Sequence, residues 1–333
     1  MKSEKRHQRV QIAALSVTLL GLGGCVEYTI ETTLNVDGSG MRREEMIVDQ
    51  NEEAWVDVTY AEFGELMSVT DNYGWTHREE VRDGDTVHVF QREKALSDFA
   101  SWPDVSGDVH IAGATSANAR SSVGRVSLGD VHFRNTVRVE TGQVAEYTSF
   151  TYRETFYWES LLDVLVEFFV QTFADMMDAR YADLTSAERG EIIGLVRGGL
   201  WSAVDQGILD AGDEEEKRLY AAFMDRTAPQ AAEIARHSYP DADEGSFREI
   251  LQRLYDDDEP LEVFLDEKLP GLSLAINTAI VFRLNMPGRV TNSNSHDRDG
   301  GTLVWEFGPG DAGAAAVEIY AESVVRSDMG GYR

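Results

Sequence analysis

The sequence is poor in cysteine, lysine and long apolar runs. Cys25 is the single cysteine in 333 residues, which excludes an intrachain disulfide and a thiolate metal cluster. Five lysines stand against 25 arginines. Few lysines beside many acids suit a high-salt habitat, although a GC-rich genome would also raise the arginine count. No stretch reaches the roughly 20 apolar residues of a transmembrane helix, so we expect no second membrane anchor near the C-terminus.

Acidic residues dominate the charge. The chain has 59 Asp and Glu against 30 Lys and Arg, a formal net charge of −29. Residues 1–24 carry four basic residues and one acidic residue, +3, so the remainder carries −32. A field of this sign repels nucleic acid and anionic lipid headgroups. A hydrophobic share of 42% predicts a sizeable core within one large domain or two ordinary ones.

The N-terminus has the three parts of an export signal. Residues 1–9 hold four basic side chains, residues 10–22 are mostly apolar, and Leu22-Gly23-Gly24-Cys25 follows. This tetrapeptide resembles the lipobox of bacterial lipoproteins. The resemblance implies a signal peptide over 1–24, cleavage before Cys25, and a membrane anchor through lipid on the Cys25 thiol. The residue after the cysteine is Val26 and not Asp. In bacteria with two membranes, this favours an outer-membrane location for a lipoprotein of this kind. The alternative is an ordinary signal peptide or N-terminal anchor with an incidental cysteine.

The chain beyond the signal divides by periodicity. Residues 25–157 are predicted to be β-rich: alternation over 26–36 and 41–48 indicates two strands around the turn Asp37-Gly38-Ser39-Gly40. We also predict a helix over 52–68, a short helix near 96–99, a loop over 112–124, and further strands up to 157.

Residues 158–270 are predicted to be a helical insertion, and 271–333 to be C-terminal strands. The period changes from two to 3.6 near Trp158, and residues 155–270 hold 27 Asp and Glu against 10 Lys and Arg. Capping-box patterns at Thr185…Glu188 and Ser246…Glu249 predict two helix starts. Another helix is predicted over 214–237, and Pro260 can begin a last short one.

These segments predict an α+β fold, an antiparallel β-sheet domain interrupted by an acidic α-helical insertion. We favour one sheet shared by the N- and C-terminal strands over two independent domains, because three C-terminal strands alone would make a thin core.

Short segments at both ends of the chain resemble LppM-like lipoproteins. At the N-terminus these are Cys25, a strand, the Asp37–Gly40 turn and a second strand. Near the C-terminus they are the segments 286–292 and 300–307, where a strand ends in Pro-Gly, a polar turn carries Asn, and a Val-x-Trp strand follows. Together they cover about a quarter of the chain and exclude 155–270. The resemblance implies an α+β domain with a curved sheet, and affinity for lipid or glycolipid. The residues by themselves predict a strand stop at Pro287-Gly288 and a polar loop over 292–301.

No pattern predicts a catalytic, cofactor-binding or metal site. A Gly-Asp-x-His or Gly-Asp-x-x-His phrase occurs three times and ends in His88, His110 and His132, which could gather on one sheet face as metal ligands. The simpler explanation, which we favour, is a turn followed by a strand each time. The loops beginning at Asn35 and Asp297 only start a calcium-binding pattern. The sequence has no G-x-S-x-G, phosphate loop, zincin helix or dinucleotide fingerprint.

Two functions remain open at this point. The first is a non-enzymatic, lipid-anchored envelope protein that binds a lipid or protein partner. The second is an envelope hydrolase with an unrecognised site. The apolar helix over 158–177 bears on the choice, because it could line a lipid cavity, dip into a membrane, meet a partner, or be an ordinary core helix, which we favour.

Overall fold

The computed structural model describes residues 26–49, 64, 67, 69–82, 85–111, 131–208, 211–256, 278–312 and 316–327. These residues belong to two compact units. The β unit holds the strands before residue 160 and after residue 277, and the helical unit holds the long helices between them. The α+β class predicted from the sequence is confirmed. Among the described helices, none combines the length and the apolar character that a membrane span requires.

Twelve strands are described in the β unit. They are β1 (Val26–Leu34), β2 (Gly40–Asp49), β3 (Thr76–Arg82), β4 (Asp85–Leu96), β5 (Asp108–Ile111), β6 (Val131–Val144), β7 (Tyr147–Glu159), β8 (Thr278–Asn285), β9 (Arg289–Ser293), β10 (Asp297–Asp299), β11 (Thr302–Phe307) and β12 (Val317–Arg326).

The strands form two sheets. The seven-stranded sheet has the order β10-β11-β8-β1-β2-β4-β3, and the five-stranded sheet has the order β5-β6-β7-β12-β9. All described pairs are antiparallel except β1 with β8, which are parallel. The parallel pair aligns Val26 with Thr278, so the first strand lies beside a strand that follows it by about 250 residues.

The two sheets share one apolar core. The seven-stranded sheet contributes Ile30, Phe282 and Trp305, and the five-stranded sheet contributes Tyr152 and Phe156, all nearly or fully buried. Alternation explains this, because every second residue of a strand points to the same face.

A short 3₁₀ segment, Phe99–Val105, closes the core beside the β1–β2 turn. Trp102 is fully buried, and its indole Nε1 donates to the Gly38 carbonyl at 3.0 Å. A Cβ at Gly40 would lie 2.5 Å from the Trp102 ring, so only glycine allows this packing. The short helix expected near 96–99 lies further along the chain, because Leu96 still belongs to β4 and the helical segment begins at Phe99, after a cap formed by Asp98.

The prediction that the N- and C-terminal strands share one sheet was wrong, because the strands form two sheets. N- and C-terminal strands do pair, but β8 pairs with β1 and β11 pairs with β8 in one sheet, whereas β12 pairs with β7 in the other. Alternation shows that a strand has a buried face but not which neighbour it pairs with. The polar loop expected over 292–301 also contains β10 and the end of β9. The strand stop at Pro287-Gly288 is confirmed, since β8 ends at Asn285 and Gly288 has φ +73°.

The helical unit contains four described helices. They are α1 (Leu161–Arg180), α2 (Ser186–Asp205), α3 (Asp213–Ala235) and α4 (Glu244–Asp256). Their core includes Phe173, Ile192, Phe223 and Phe247, and Tyr181 stacks on Phe247 with ring centres 5.0 Å apart.

One predicted capping box is confirmed and one is wrong. Thr185 caps α2, with its hydroxyl accepting from the Glu188 amide and the Glu188 carboxylate accepting from the Thr185 amide. Ser246 does not begin α4. The helix starts at Glu244, and the Asp243 carboxylate accepts from the Ser246 amide at 3.0 Å. Asp three residues before Ser is an equally good cap, so the pattern alone misplaced the start.

Several predictions fall outside the described residues. These are the signal peptide 1–24, Cys25, most of the helix over 52–68, the loop over 112–124, and the helix at Pro260.

Candidate functional site

A cluster of buried charges crosses the interior of the β unit. Arg42 and Glu44 lie on β2, Arg92 lies on β4 and Glu154 lies on β7, and we call these four residues the buried ion cluster. Arg42 is 2% exposed, Glu44 is 4% exposed and Glu154 is fully buried. Because residues i and i+2 of a strand share a face, Arg42 and Glu44 point inward together with Met46.

Arg42 joins the two sheets through a bidentate ion pair. Its two terminal nitrogens donate to the two Glu154 oxygens, each at 2.9 Å. Its Nε donates to Glu44 Oε1 at 3.1 Å, and Arg92 donates to the other Glu44 oxygen. Two cations thus face two anions, and the cluster is neutral as a whole.

Neutral groups satisfy the remaining acceptor positions of the two carboxylates. Tyr28 donates to Glu44 at 3.1 Å, Tyr152 donates to Glu154 at 2.5 Å, and the Asn135 amide also donates to Glu154. The Arg92 guanidinium lies 4.9 Å from the centre of the Trp75 ring, a cation–π distance.

The surroundings fix the protonation state of the cluster. Burial raises the pKa of Glu44, but the Arg42 and Arg92 charges outweigh it and leave that pKa below its usual value. Burial, and then the neighbouring carboxylates, hold the pKa values of Tyr28 and Tyr152 well above the ordinary tyrosine value. Burial lowers the pKa of Arg42, and the charges of Glu154 and Glu44 raise it well above its usual value.

These pKa directions make the buried ion cluster a poor acid–base catalyst. A general acid or base works best with a pKa near the working pH. Glu44 stays ionised at neutral pH and both tyrosines stay protonated. The cluster acts as a structural tie between the sheets. The buried ion cluster was not predicted from the sequence, although two signals were readable there: charged residues on the inward face of β2, and Glu154 between the buried Tyr152 and Phe156 on β7.

The predicted lipidation site, Cys25, precedes the first described residue. Val26 begins β1 and is 1% exposed. It lies in register with Val48 of β2 and Thr278 of β8, so β1 has hydrogen-bonded neighbours on both sides from its first residue.

The three histidines of the repeated phrase do not share one sheet. His88 lies on β4 in the seven-stranded sheet, whereas His110 of β5 and His132 of β6 are register partners in the five-stranded sheet. Each histidine lies within the first four residues of its strand, as the simpler explanation expects. Within the described part of the chain, no group of three or more His, Cys, Asp or Glu side chains is placed to hold a metal.

His88 instead meets His77, which lies on the neighbouring strand β3. His77 Nε2 and His88 Nδ1 are 3.1 Å apart, the ring centres are 5.3 Å apart, and the ring planes differ by 22°. The centre separation exceeds the nitrogen separation by 2.2 Å, about the sum of the two ring radii. The rings therefore meet edge to edge through facing nitrogens. Burial, and then His77, lower the pKa of His88, while Glu79 opposes the shift.

The other singled-out segments have structural roles. The Asp37 carboxylate accepts from the Ser39 amide and hydroxyl, which closes the β1–β2 turn. The predicted helix 158–177 corresponds to α1, whose Val166, Val170 and Phe173 belong to the core of the helical unit. The core-helix explanation accounts for this face of α1.

Comparisons with known proteins give one structural neighbour. No protein-family model and no curated protein matches the chain. The folded domain of LppM from Mycobacterium tuberculosis aligns over 90% of both chains, with 8% sequence identity and a TM-score of 0.27. The similarity is weak and concerns structure alone.

Proposed function

We propose that the protein is a lipid-anchored component of the bacterial cell envelope, held through Cys25, that binds a lipid or protein partner and is not an enzyme. Its location would be the outer membrane, as Val26 after the cysteine favours.

The junction between Cys25 and β1 carries this proposal. Val26 is already a buried, paired residue of a central strand. Cleavage after residue 26 would remove part of β1, so a processing site compatible with the fold must lie before Val26. Leu22-Gly23-Gly24-Cys25 offers a lipobox at that position. With two or three acyl chains on Cys25, the attachment would be stable, because one chain binds only marginally.

The experiment is replacement of the acylated residue in the full chain. We expect the wild type to partition into detergent with the membranes as a mature, acylated form. Cys25→Ser should remain uncleaved or become soluble, because serine has no thiol to accept the lipid.

A second variant serves as a matched control. Gly24→Ala keeps a small residue before the cleavage site and should mature like the wild type, whereas Gly24→Leu should not. Mass spectrometry of the N-terminal peptide distinguishes the mature acylated form, the uncleaved form and the soluble form without lipid. Normal maturation and detergent partitioning of Cys25→Ser would overturn the proposal.

One observation supports binding over hydrolysis. The buried carboxylates of the β unit already accept hydrogen bonds from several donors, as an ion pair in a structural tie requires. The net charge of −29 makes a nucleic-acid partner unfavourable. Native mass spectrometry of the protein extracted from its own cells would test for a bound ligand. Turnover of a hydrolysable ester or peptide by the purified chain would support the hydrolase alternative instead.

A further inference from the structure

Strand β3 forms one edge of the seven-stranded sheet. Among the described strands it has a neighbour on one side only, which is β4. Six of its seven residues are exposed, and the seventh, Glu80, is half-buried. The outer side of an edge strand presents backbone N–H and C=O groups that can pair with another strand, so β3 is a template for strand addition.

The charges of β3 balance each other. The strand carries Arg78 and Arg82 against Glu79 and Glu80, whereas the whole chain has a net charge of −29. Two copies of so acidic a chain repel each other through most of their surface. Two neutral edges can approach without adding to this repulsion.

We propose that β3 pairs antiparallel with β3 of a second copy of the chain, about a two-fold axis through Glu79, and joins the two seven-stranded sheets. The inference goes beyond the proposed function and rests on the edge strand alone.

The charges specify the register of this pairing. An axis at Glu79 overlaps all seven residues of both strands and places Arg78 of each copy opposite Glu80 of the other. An axis at Arg78 would place Arg78 opposite itself, and an axis at Glu80 would place Arg78 opposite Arg82. Opposite charges directly across a strand pair stabilise it and like charges destabilise it, so the axis at Glu79 is favoured.

The side chains on the other face of β3 fit the same register. His77 of one copy would lie opposite Val81 of the other. Val81 is 74% exposed, the highest value among the large apolar side chains of the described residues. The His77 ring already packs against Phe90 of β4 with ring centres 4.8 Å apart, so the incoming Val81 would extend that row of contacts. The one unfavourable pair is Glu79 with itself, at an exposed position.

Disulfide cross-linking tests the position of the axis. Glu79→Cys places two thiols directly opposite each other, where Cα atoms lie about 4.5–5.5 Å apart, within reach of a disulfide. Val81→Cys is the matched control on the same exposed face. Its two copies would be four residues apart along the strand, or about 14 Å, which is too far for a disulfide.

The cross-linking uses the full chain in a nonionic detergent. Antiparallel pairing reverses the direction of β1 in the second copy, and in detergent no membrane constrains the two N-terminal ends. Under mild oxidation, Glu79→Cys should form a disulfide dimer about 10-fold faster than Val81→Cys, because only its thiols are within reach. The wild type measures any cross-linking through Cys25.

Charge reversal tests whether the partner is a second copy. Arg78→Glu places a glutamate opposite Glu80, and Glu80→Arg places an arginine opposite Arg78, so each variant alone should lose most of its dimer. An equal mixture restores both Arg–Glu pairs between unlike chains and should regain the dimer. Sedimentation velocity over a range of concentrations measures this, because a seven-residue overlap makes a small, reversible interface. Mixing changes neither chain, so a folding defect cannot explain the rescue.

Four results would overturn the proposal. They are a wild type that stays monomeric at every concentration, equal cross-linking of Glu79→Cys and Val81→Cys, and a mixture of the charge variants that dimerises no better than either variant alone. The fourth is a Glu79→Cys disulfide that forms in intact cells with another envelope protein in place of a second copy.

Discussion

Removing both partners of the Arg42–Glu154 pair should destabilise the β unit by clearly less than the sum of the two single removals. Glu154→Leu leaves two cations facing one anion in the core, and Arg42→Met leaves two anions facing one cation. Loss of one partner of a buried ion pair costs about 3–5 kcal/mol. This is a large fraction of the roughly 5–15 kcal/mol that stabilises a typical domain.

The double variant Arg42→Met/Glu154→Leu restores neutrality. Arg92 and Glu44 still pair, and Phe282 and Phe156 supply apolar surroundings for the new side chains. The remaining cost comes from Tyr152 and Asn135, which lose their acceptor, at about 1–3 kcal/mol for each buried group left without a partner. The double variant should therefore be clearly more stable than the sum of the two single losses would allow.

Urea unfolding in a Trp201→Phe background measures these effects. Trp201 is the single tryptophan of the helical unit, so the remaining tryptophan fluorescence then reports on the β unit. The parent protein, the two single variants and the double variant all carry this background substitution. If the loss in the double variant equals the sum of the two single losses, the argument from charge balance is refuted. The pair would then behave like an ion pair on the surface.

Three further outcomes are expected. Gly194→Ala should raise the free energy of unfolding of the helical unit by about 0.5–1 kcal/mol, because a Cβ there meets nothing within 4 Å. Gly199→Ala should lower it, because a Cβ there would lie 2.6 Å from Phe223. Helical circular dichroism during urea unfolding measures both changes, and the same sign for both would contradict the packing. Thr185→Ala should cost about 1 kcal/mol through loss of the α2 cap. The comparison is Thr172→Ala, at a half-buried position inside α1 where the hydroxyl donates only to the Phe168 carbonyl of the same helix. An unchanged unfolding midpoint of Thr185→Ala would count against the cap. Because the folded-state pKa of Glu44 lies below its unfolded value, the ionised Glu44 contributes stability at neutral pH, and this contribution is lost as the pH falls below about 4.5. Glu44→Gln should therefore be less stable than the wild type at pH 7, and its stability should fall less steeply in acid. Parallel profiles of stability against pH for the two proteins would argue against this.

Local patterns predicted the elements well where their cause is local. The β1–β2 hairpin follows from alternation and an Asp-Gly turn, and Asp37 closes that turn with its own carboxylate. The Thr185 cap is likewise a matter of four consecutive residues. The start of α4 was misplaced because Asp243 and Ser246 are both good capping residues and three positions separate them.

The two polar clusters depended on pairings that no local pattern contains. Arg42 and Glu154 are 112 residues apart and lie in different sheets. His77 and His88 are 11 residues apart, but only the β3–β4 register makes them diagonal neighbours, and a shift by one residue would put them on opposite faces. The repeated histidine phrase contains His88, His110 and His132 but not His77, so it did not predict this pair.

The sequence by itself determined the acidity, the α+β class and most of the strand and helix positions, because composition and short-range periodicity are properties of neighbouring residues. The export signal with its lipobox-like end stays a prediction. The tertiary structure decided that there are two sheets, that β1 pairs in parallel with β8, and that the inward charges of β2 meet a carboxylate from β7. Those outcomes depend on which distant segments bury each other's apolar faces, and the energy of a buried charge is set by the partners that this packing brings to it.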